Sequence, residues 1–222
     1  MERWARTKLY DVLIAAPLMA YYLWVVWGLT GDVARLSAAV WGGEFIALMG
    51  LLNTVLTITF LSLIVVLVLV RRVPKAKSIG LMPRFAAIAG TFASLAITQM
   101  PYAELPLTVA LLTMIPVLVG MAGAMVALAW LGRQASIMPE ARGLVTSGPY
   151  AIVRHPLYLF EEIAIFGIAL QHVQPWALIV FGLQLTLQLC RILYEEQVLS
   201  GAFPEYERYK VRTPDALIPR LY

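Results

Sequence analysis

Residues 45–70 read FIALMGLLNTVLTITFLSLIVVLVLV, a stretch without a single Asp, Glu, Lys or Arg. Roughly 20 such residues cross the hydrocarbon core of a bilayer as a helix. A lone strand is excluded there, because lipid offers no partners for its N–H and C=O groups. Working outward, residues 12–31, 85–103, 105–132 and 163–190 are equally free of formal charge. The whole chain is 61% hydrophobic and 14% charged, whereas a soluble domain carries about 25% charged residues. The expectation is an all-α integral membrane bundle. It has four spanning helices, a C-terminal helical hairpin and a polar C-terminal segment, in one integrated membrane domain. Residues 1–130 form the four-helix part, and 131–222 carry the candidate chemistry.

The first run is expected to be retained as a membrane helix. It is longer than the apolar stretch of a signal peptide, and no small-residue cleavage site follows it. The single cysteine, Cys190, has no intrachain disulfide partner and reads as a packed thiol rather than a nucleophile. A net charge of +4 raises the question of nucleic acid, but the distribution of charge answers it. Residues 71–84, RRVPKAKSIGLMPR, hold Arg71, Arg72, Lys75, Lys77 and Arg84 without an acid. A short basic loop of this kind faces the cytoplasm, so the charge reports topology. The expected surroundings are then membrane lipids, not nucleic acid.

With that loop inside, the N-terminus (Arg3, Arg6, Lys8) is expected to be cytoplasmic. Residues 32–44, with Asp32, Arg35 and Glu44, form an external connection, and Pro101 to Pro106 a second external turn. Residues 133–156 return to the cytoplasm. Pro17 and Pro116 predict kinks, and Gly120, Gly123, Ala124 and Ala127 a close helix–helix contact. As one helix, 157–190 would be about 51 Å long, far more than a bilayer core of about 30 Å. Its centre, Gln171-His172-Val173-Gln174-Pro175, is a turn signal. A hairpin of 157–170 and 176–190 follows, with both ends on the cytoplasmic side. The second limb runs on to about Ser200, and Pro204, Pro214 and Pro219 break what remains.

Two charged clusters meet if the hairpin forms. One is Leu144 to Tyr150 (LVTSGPY) with Val153 to Tyr158 (VRHPLY). Pro156 suits the first turn of a helix and keeps His155 extended. Arg154 and His155 therefore sit on a stiff loop at a helix N-terminus, where N–H groups favour an anion. The other is Arg191 with Glu195 and Glu196; Arg191 and Glu195, four apart, share a helix face. Singly, each has a bland reading: Arg154 as a headgroup anchor, His155 as a satisfied loop residue, Arg191–Glu195 as an intrahelical ion pair. Glu161 and Glu162 resist that, because a carboxylate inside an apolar helix is costly and usually functional. One is expected to face a pocket and the other the water interface.

Together these residues resemble the isoprenylcysteine carboxyl methyltransferase family and its bacterial relatives. The matching text is Leu131-Gly-Arg133, Pro139-Glu-Ala-Arg142, Leu144 to Tyr150 and Arg154-His-Pro-Leu-Tyr158, then Arg191, Glu195-Glu196, Phe203-Pro-Glu-Tyr206, Tyr209 and Ile218-Pro219. The resemblance covers 131–222 and implies a helical membrane enzyme that wraps S-adenosylmethionine (SAM) at the cytoplasmic face. It implies that Arg142, Gly143, Leu144, Val145, Tyr150, His155, Pro156, Leu157 and Tyr158 line the cofactor. Glu195, with Glu196 beside it, would bind SAM, and Arg191 would hold the acceptor carboxylate. Arg154 and Glu161 complete the candidate catalytic set; no metal is implied. Relatives often carry glycine after the HPLYL stretch, and Phe160 here is expected to narrow the pocket beside the cofactor. The activity implied is carboxyl O-methylation of an isoprenylcysteine-like or other lipophilic acid. The alternatives are methyl transfer to a lipid amine or small thiol, an NADPH-dependent membrane reductase of related architecture, and a non-catalytic membrane protein.

Overall fold

The computed structural model describes residues 8–136 and 138–220, so Arg3 and Arg6 lie outside the described residues. Seven α-helices follow one another: α1 (Lys8–Trp41), α2 (Phe45–Val70), α3 (Met82–Thr98), α4 (Leu107–Leu131), α5 (Pro156–Leu170), α6 (Trp176–Ala202) and α7 (Tyr206–Arg212). Two-residue strands, β1 (Ala76–Lys77) and β2 (Glu140–Ala141), pair antiparallel. Helices α1, α2, α4 and α6 are long and apolar enough to cross a membrane. The all-α membrane bundle is what the charge-free runs predicted. The hairpin forms as expected, with α5 and α6 flanking residues 171–175. At 17 and 15 residues, α3 and α5 are about 26 and 23 Å long, short of a full crossing unless the bilayer adapts.

The expected external connection is corrected. Residues 32–41 are not part of an external loop, because α1 continues through them to Trp41. Asp32 and Arg35 pair across one turn at 2.7 Å, so their charges are carried on the helix surface. The chain turns only at Gly42-Gly43, where Gly43 has φ +89°, a conformation that favours glycine.

Small residues draw the bundle together. A Cβ on Gly120 would come within 2.4 Å of the Ala164 nitrogen, and one on Gly123 within 2.2 Å of the Phe160 ring. Helices α4 and α5 therefore touch backbone to backbone, as the small-residue pattern predicted. Phe160 fills the notch over Gly123 and does not narrow the pocket beside the cofactor candidates; the sequence could not show that α4 offers it a socket. Helix α1 packs on α2 through Ala15, Met19, Val65 and Val68. Ile97 of α3 packs with Ala169 and Ala177 of the hairpin.

The connections sort to two ends. At one end, Arg72 N–H bonds to Arg133 O, and the β1–β2 pair joins 71–78 to 133–142. Arg154 and His155 N–H bond to Asp215 O and Ala216 O at that same end. At the other, Ala103 N–H bonds to Gln171 O and Val173 N–H to Pro101 O. Every candidate site segment is at the first end.

Candidate functional site

Helix α4 stops at Gly132, which has φ +55°. The chain then crosses to a short 3-10 turn, Gly148–Ala151. Gly148 has φ +61°, and a Cβ there would lie 2.2 Å from the Trp130 ring. Glycine is thus needed both for the turn and for the close approach. Trp130 Nε1 donates to Ser147 Oγ at 3.2 Å. The Tyr209 hydroxyl donates to Tyr150 O at 2.5 Å, locking α7 onto this loop. Burial pushes the Tyr150 phenol up, so it stays protonated.

Arg154 and His155 precede Pro156, the first residue of α5. Arg154 Nε donates to Glu196 Oε1 at 2.7 Å and NH1 donates to Thr213 O at 2.9 Å and to Pro214 O. Burial works against its charge, but the hydrogen bond and charge of Glu196 outweigh that and raise its pKa. His155 Nε2 lies 3.2 Å from the same Glu196 oxygen, and its ring stacks on Tyr158 at 5.5 Å and 6°. Arg154 is therefore a strut that ties α5 to α6 and the C-terminal chain.

Two cavities meet at Tyr158. The smaller, about 50 Å³, is lined by Gly143, Leu144, Val145, Tyr150, Arg154, His155, Leu157, Tyr158 and Glu195 among the predicted residues. The larger, about 250 Å³, takes in Glu161 and Arg191 from the candidate set, and its other walls are mostly apolar. Ser136, Leu157 and Tyr158 belong to both. The Tyr158 hydroxyl donates to Glu195 Oε2 at 2.6 Å, and the Arg191 guanidinium lies 4.8 Å over the Tyr158 ring. Tyr158 is the partition, with a carboxylate on one side and a cation on the other. A groove between α1 and α3 shares Thr91, Leu95 and Ser136 with the larger cavity.

Three predicted lining residues are not in the smaller cavity. Glu196 turns to Arg154 and His155, and Pro156 is packed inside the start of α5. Arg142 points to Asp11 and Glu140 instead. Arg191 does not pair with Glu195; it reaches Ser136 O at 3.3 Å, and its Nε is buried without a partner. Of the two adjacent carboxylates, Glu161 lines the larger cavity. Glu162 accepts a bond from Gln184 Nε2 at 2.8 Å and is buried rather than at a water interface, because α6 covers that face.

Sequence reasoning missed Gln184 and Gln188, although a signal was present. Gln184, Gln188, Arg191 and Glu195 fall at helical spacing and form one polar stripe on an apolar helix. It also passed over Asp11 and Ser136, and gave Glu140, which stands in the matching text, no role.

Residues 107–206, from the first residue of α4 to the first of α7, match the family described as phospholipid methyltransferase. The chain is 39% identical over 79 residues to the cobalt-zinc-cadmium resistance protein CzcN of Cupriavidus metallidurans. It is 37% identical over 79 residues to the nickel-cobalt-cadmium resistance protein NccN of Alcaligenes xylosoxydans xylosoxydans. Each match covers 35% of this chain and 36% or 37% of the relative, so the chain spans little more than a third of either.

Proposed function

We propose, from the match of residues 107–206 to the phospholipid methyltransferase family, that the chain is a membrane methyltransferase that uses SAM to methylate a lipophilic acid. The observation that carries this reading is Arg191. Its guanidinium is buried among mostly apolar walls, and among the described residues no carboxylate pairs with it. Glu195 and Glu161 act on its charge only without direct contact, a buried guanidinium with an unfilled donor is costly, and an incoming carboxylate would satisfy it through two parallel hydrogen bonds.

The smaller cavity suits SAM by its donor set. Glu195 has one oxygen engaged by Tyr158 and presents a carboxylate to a cationic ligand. Tyr150 lines it with an aromatic ring of the kind that attracts a sulfonium, and His155, Leu144 and Val145 complete the wall. Gly143 keeps the wall thin, since a Cβ there would lie 2.7 Å from Gln134 Cγ. When bound, SAM supplies a methyl group already activated on sulfur, and a carboxylate is nucleophilic at neutral pH. The chain has then to hold the acceptor against the partition, align it and exclude water. Arg191 would orient the acceptor, the apolar walls of the larger cavity would take its lipid chain, and Tyr158 would separate the two ligands. We place this end of the bundle in the cytoplasm, on the side of the basic loop 71–84.

A second reading is N-methylation of a lipid amine, favoured by Glu161, which lines the same cavity as Arg191. The experiment offers radiolabelled SAM with a prenylcysteine, an ethanolamine phospholipid and a small thiol, to wild type, Arg191→Gln and Glu161→Gln. The acid reading expects a base-labile ester from the prenylcysteine alone, lost in Arg191→Gln. Methylated amine that survives Arg191→Gln and disappears in Glu161→Gln establishes the second reading instead. Binding of NADPH in place of SAM would reject both.

A further inference from the structure

Asp11, in the first turn of α1, lies 131 positions from Arg142 in sequence and holds its guanidinium in a fork. Arg142 NH2 donates to Asp11 Oδ1 at 2.6 Å and NH1 to Oδ2 at 3.0 Å. The same carboxylate accepts from Arg71 Nε at 2.8 Å, and Arg71 NH2 bonds the Asp11 carbonyl at 3.0 Å. Arg142 NH2 also reaches Glu140 Oε2 at 2.5 Å, and NH1 reaches Arg72 O. The side chains of Asp11, Arg71 and Arg142 are only 6%, 5% and 0% exposed.

Stability is a poor explanation for such a cluster. Desolvation of buried charges consumes most of their attraction, and an apolar replacement of equal volume is often no worse. What the cluster does supply is geometry. Arg142 is followed directly by Gly143, Leu144 and Val145, the wall of the smaller cavity. On the other side, Lys75 N–H bonds to Ala141 O and Ser78 N–H to Pro139 O. Backbone bonds thus fix the approach to Arg142, and the fork fixes Arg142 itself. Without the fork, Arg142 keeps only its bonds to Glu140 and Arg72 O, and the 143–145 wall, in a stretch without regular structure until Gly148, keeps only the packing of Leu144 on Ala141, Phe203, Tyr206 and Tyr209.

We propose that Asp11 is a positioning residue: through Arg142 it sets the 143–145 wall, and the N-terminal helix thereby tunes SAM affinity. This rests on the methyltransferase reading for the identity of the ligand, but not for the effect on the wall. The test uses the full chain in lipid nanodiscs, comparing wild type, Asp11→Asn, Arg142→Lys and the charge-balanced double variant Asp11→Asn/Arg71→Gln. Three readouts are taken: calorimetric SAM binding, KM for each substrate, and hydrogen exchange of amides 141–147 without ligand. All three variants are expected to weaken SAM binding by roughly tenfold to a hundredfold, as small misplacements do, with KM for the acceptor within about twofold of wild type. Exchange at 141–147 should quicken while the interior of α4 stays protected. Normal SAM affinity in the double variant would overturn the proposal, because it too lacks the fork. So would loss of fold in every variant, which would make the cluster a stability element. If wild type binds no SAM, the functional reading fails, and the exchange data still decide whether Asp11 sets the wall.

Discussion

Tyr158 touches both halves of the proposed chemistry: its hydroxyl donates to Glu195 at 2.6 Å, and its ring carries His155 and Arg191. Removing only the hydroxyl isolates one of these contacts. Tyr158→Phe should weaken SAM binding by about 1.5–3 kcal/mol, the worth of a hydrogen bond to a charged group, while both ring contacts persist. Glu195→Gln should cost a similar amount, and the double variant should cost less than the sum, because both remove the same bond. Calorimetry on the four proteins measures that coupling, and full additivity would show that the bond contributes nothing to the cofactor pocket. At this scale the sequence was informative where chemistry is local. Pro156 set the start of α5, and the spacing of Arg191 and Glu195 put both on the site face. It misplaced Arg142, which the resemblance put at the cofactor, because its partner Asp11 lies 131 positions away in α1. It was silent on whether Glu161 or Glu162 meets the cavity, because that depends on which face α6 covers.

The helices were legible wherever lipid imposes a rule. A charge-free run has to be a helix, and a 34-residue stretch with a polar proline-bearing centre has to fold back. The far end of α1 was not legible, because an ion pair on a helix surface and a charged loop look alike in one dimension. The contact of α4 with α5 gives this scale its prediction. Gly120 meets the Ala164 backbone, which cannot yield without moving a helix, whereas Gly182 has nothing within 4 Å. Gly120→Ala should therefore lower stability by about 1–3 kcal/mol through overpacking. Gly182→Ala should be neutral or gain up to about 1 kcal/mol from helix propensity. Thermal unfolding in detergent compares the two directly. Equal Tm values would mean that α4 and α5 are not packed backbone to backbone. Since α4 leads into Gly132, and α5 follows His155 and carries Tyr158, Gly120→Ala should also reduce SAM affinity, which Gly182→Ala should leave alone.

The molecule as a whole places a mostly apolar chamber and a loop-built pocket at the same end of a bundle, and that arrangement depends on the hairpin. Were 156–202 a single crossing, Arg154 and Glu196 would stand on opposite faces of the membrane; instead they are 2.7 Å apart. The same geometry makes the topology testable without any assay of activity. Ser147 and Arg208 are exposed at the site end, and Glu104 is exposed at the other. Single cysteines at these positions, in a Cys190→Ala background, should divide into two classes toward an impermeant thiol reagent applied to intact cells. Glu104→Cys is expected to label from outside. Ser147→Cys and Arg208→Cys should react only after the membrane is opened, because the proposal places their end, which carries the five basic residues of 71–84, in the cytoplasm. Labelling of only one of Ser147 and Arg208 from outside would break the hairpin, and labelling of all three would deny that α4 crosses. Labelling of Ser147 and Arg208 alone would keep the site but turn it away from the compartment that supplies SAM, and the proposed function would fall with it.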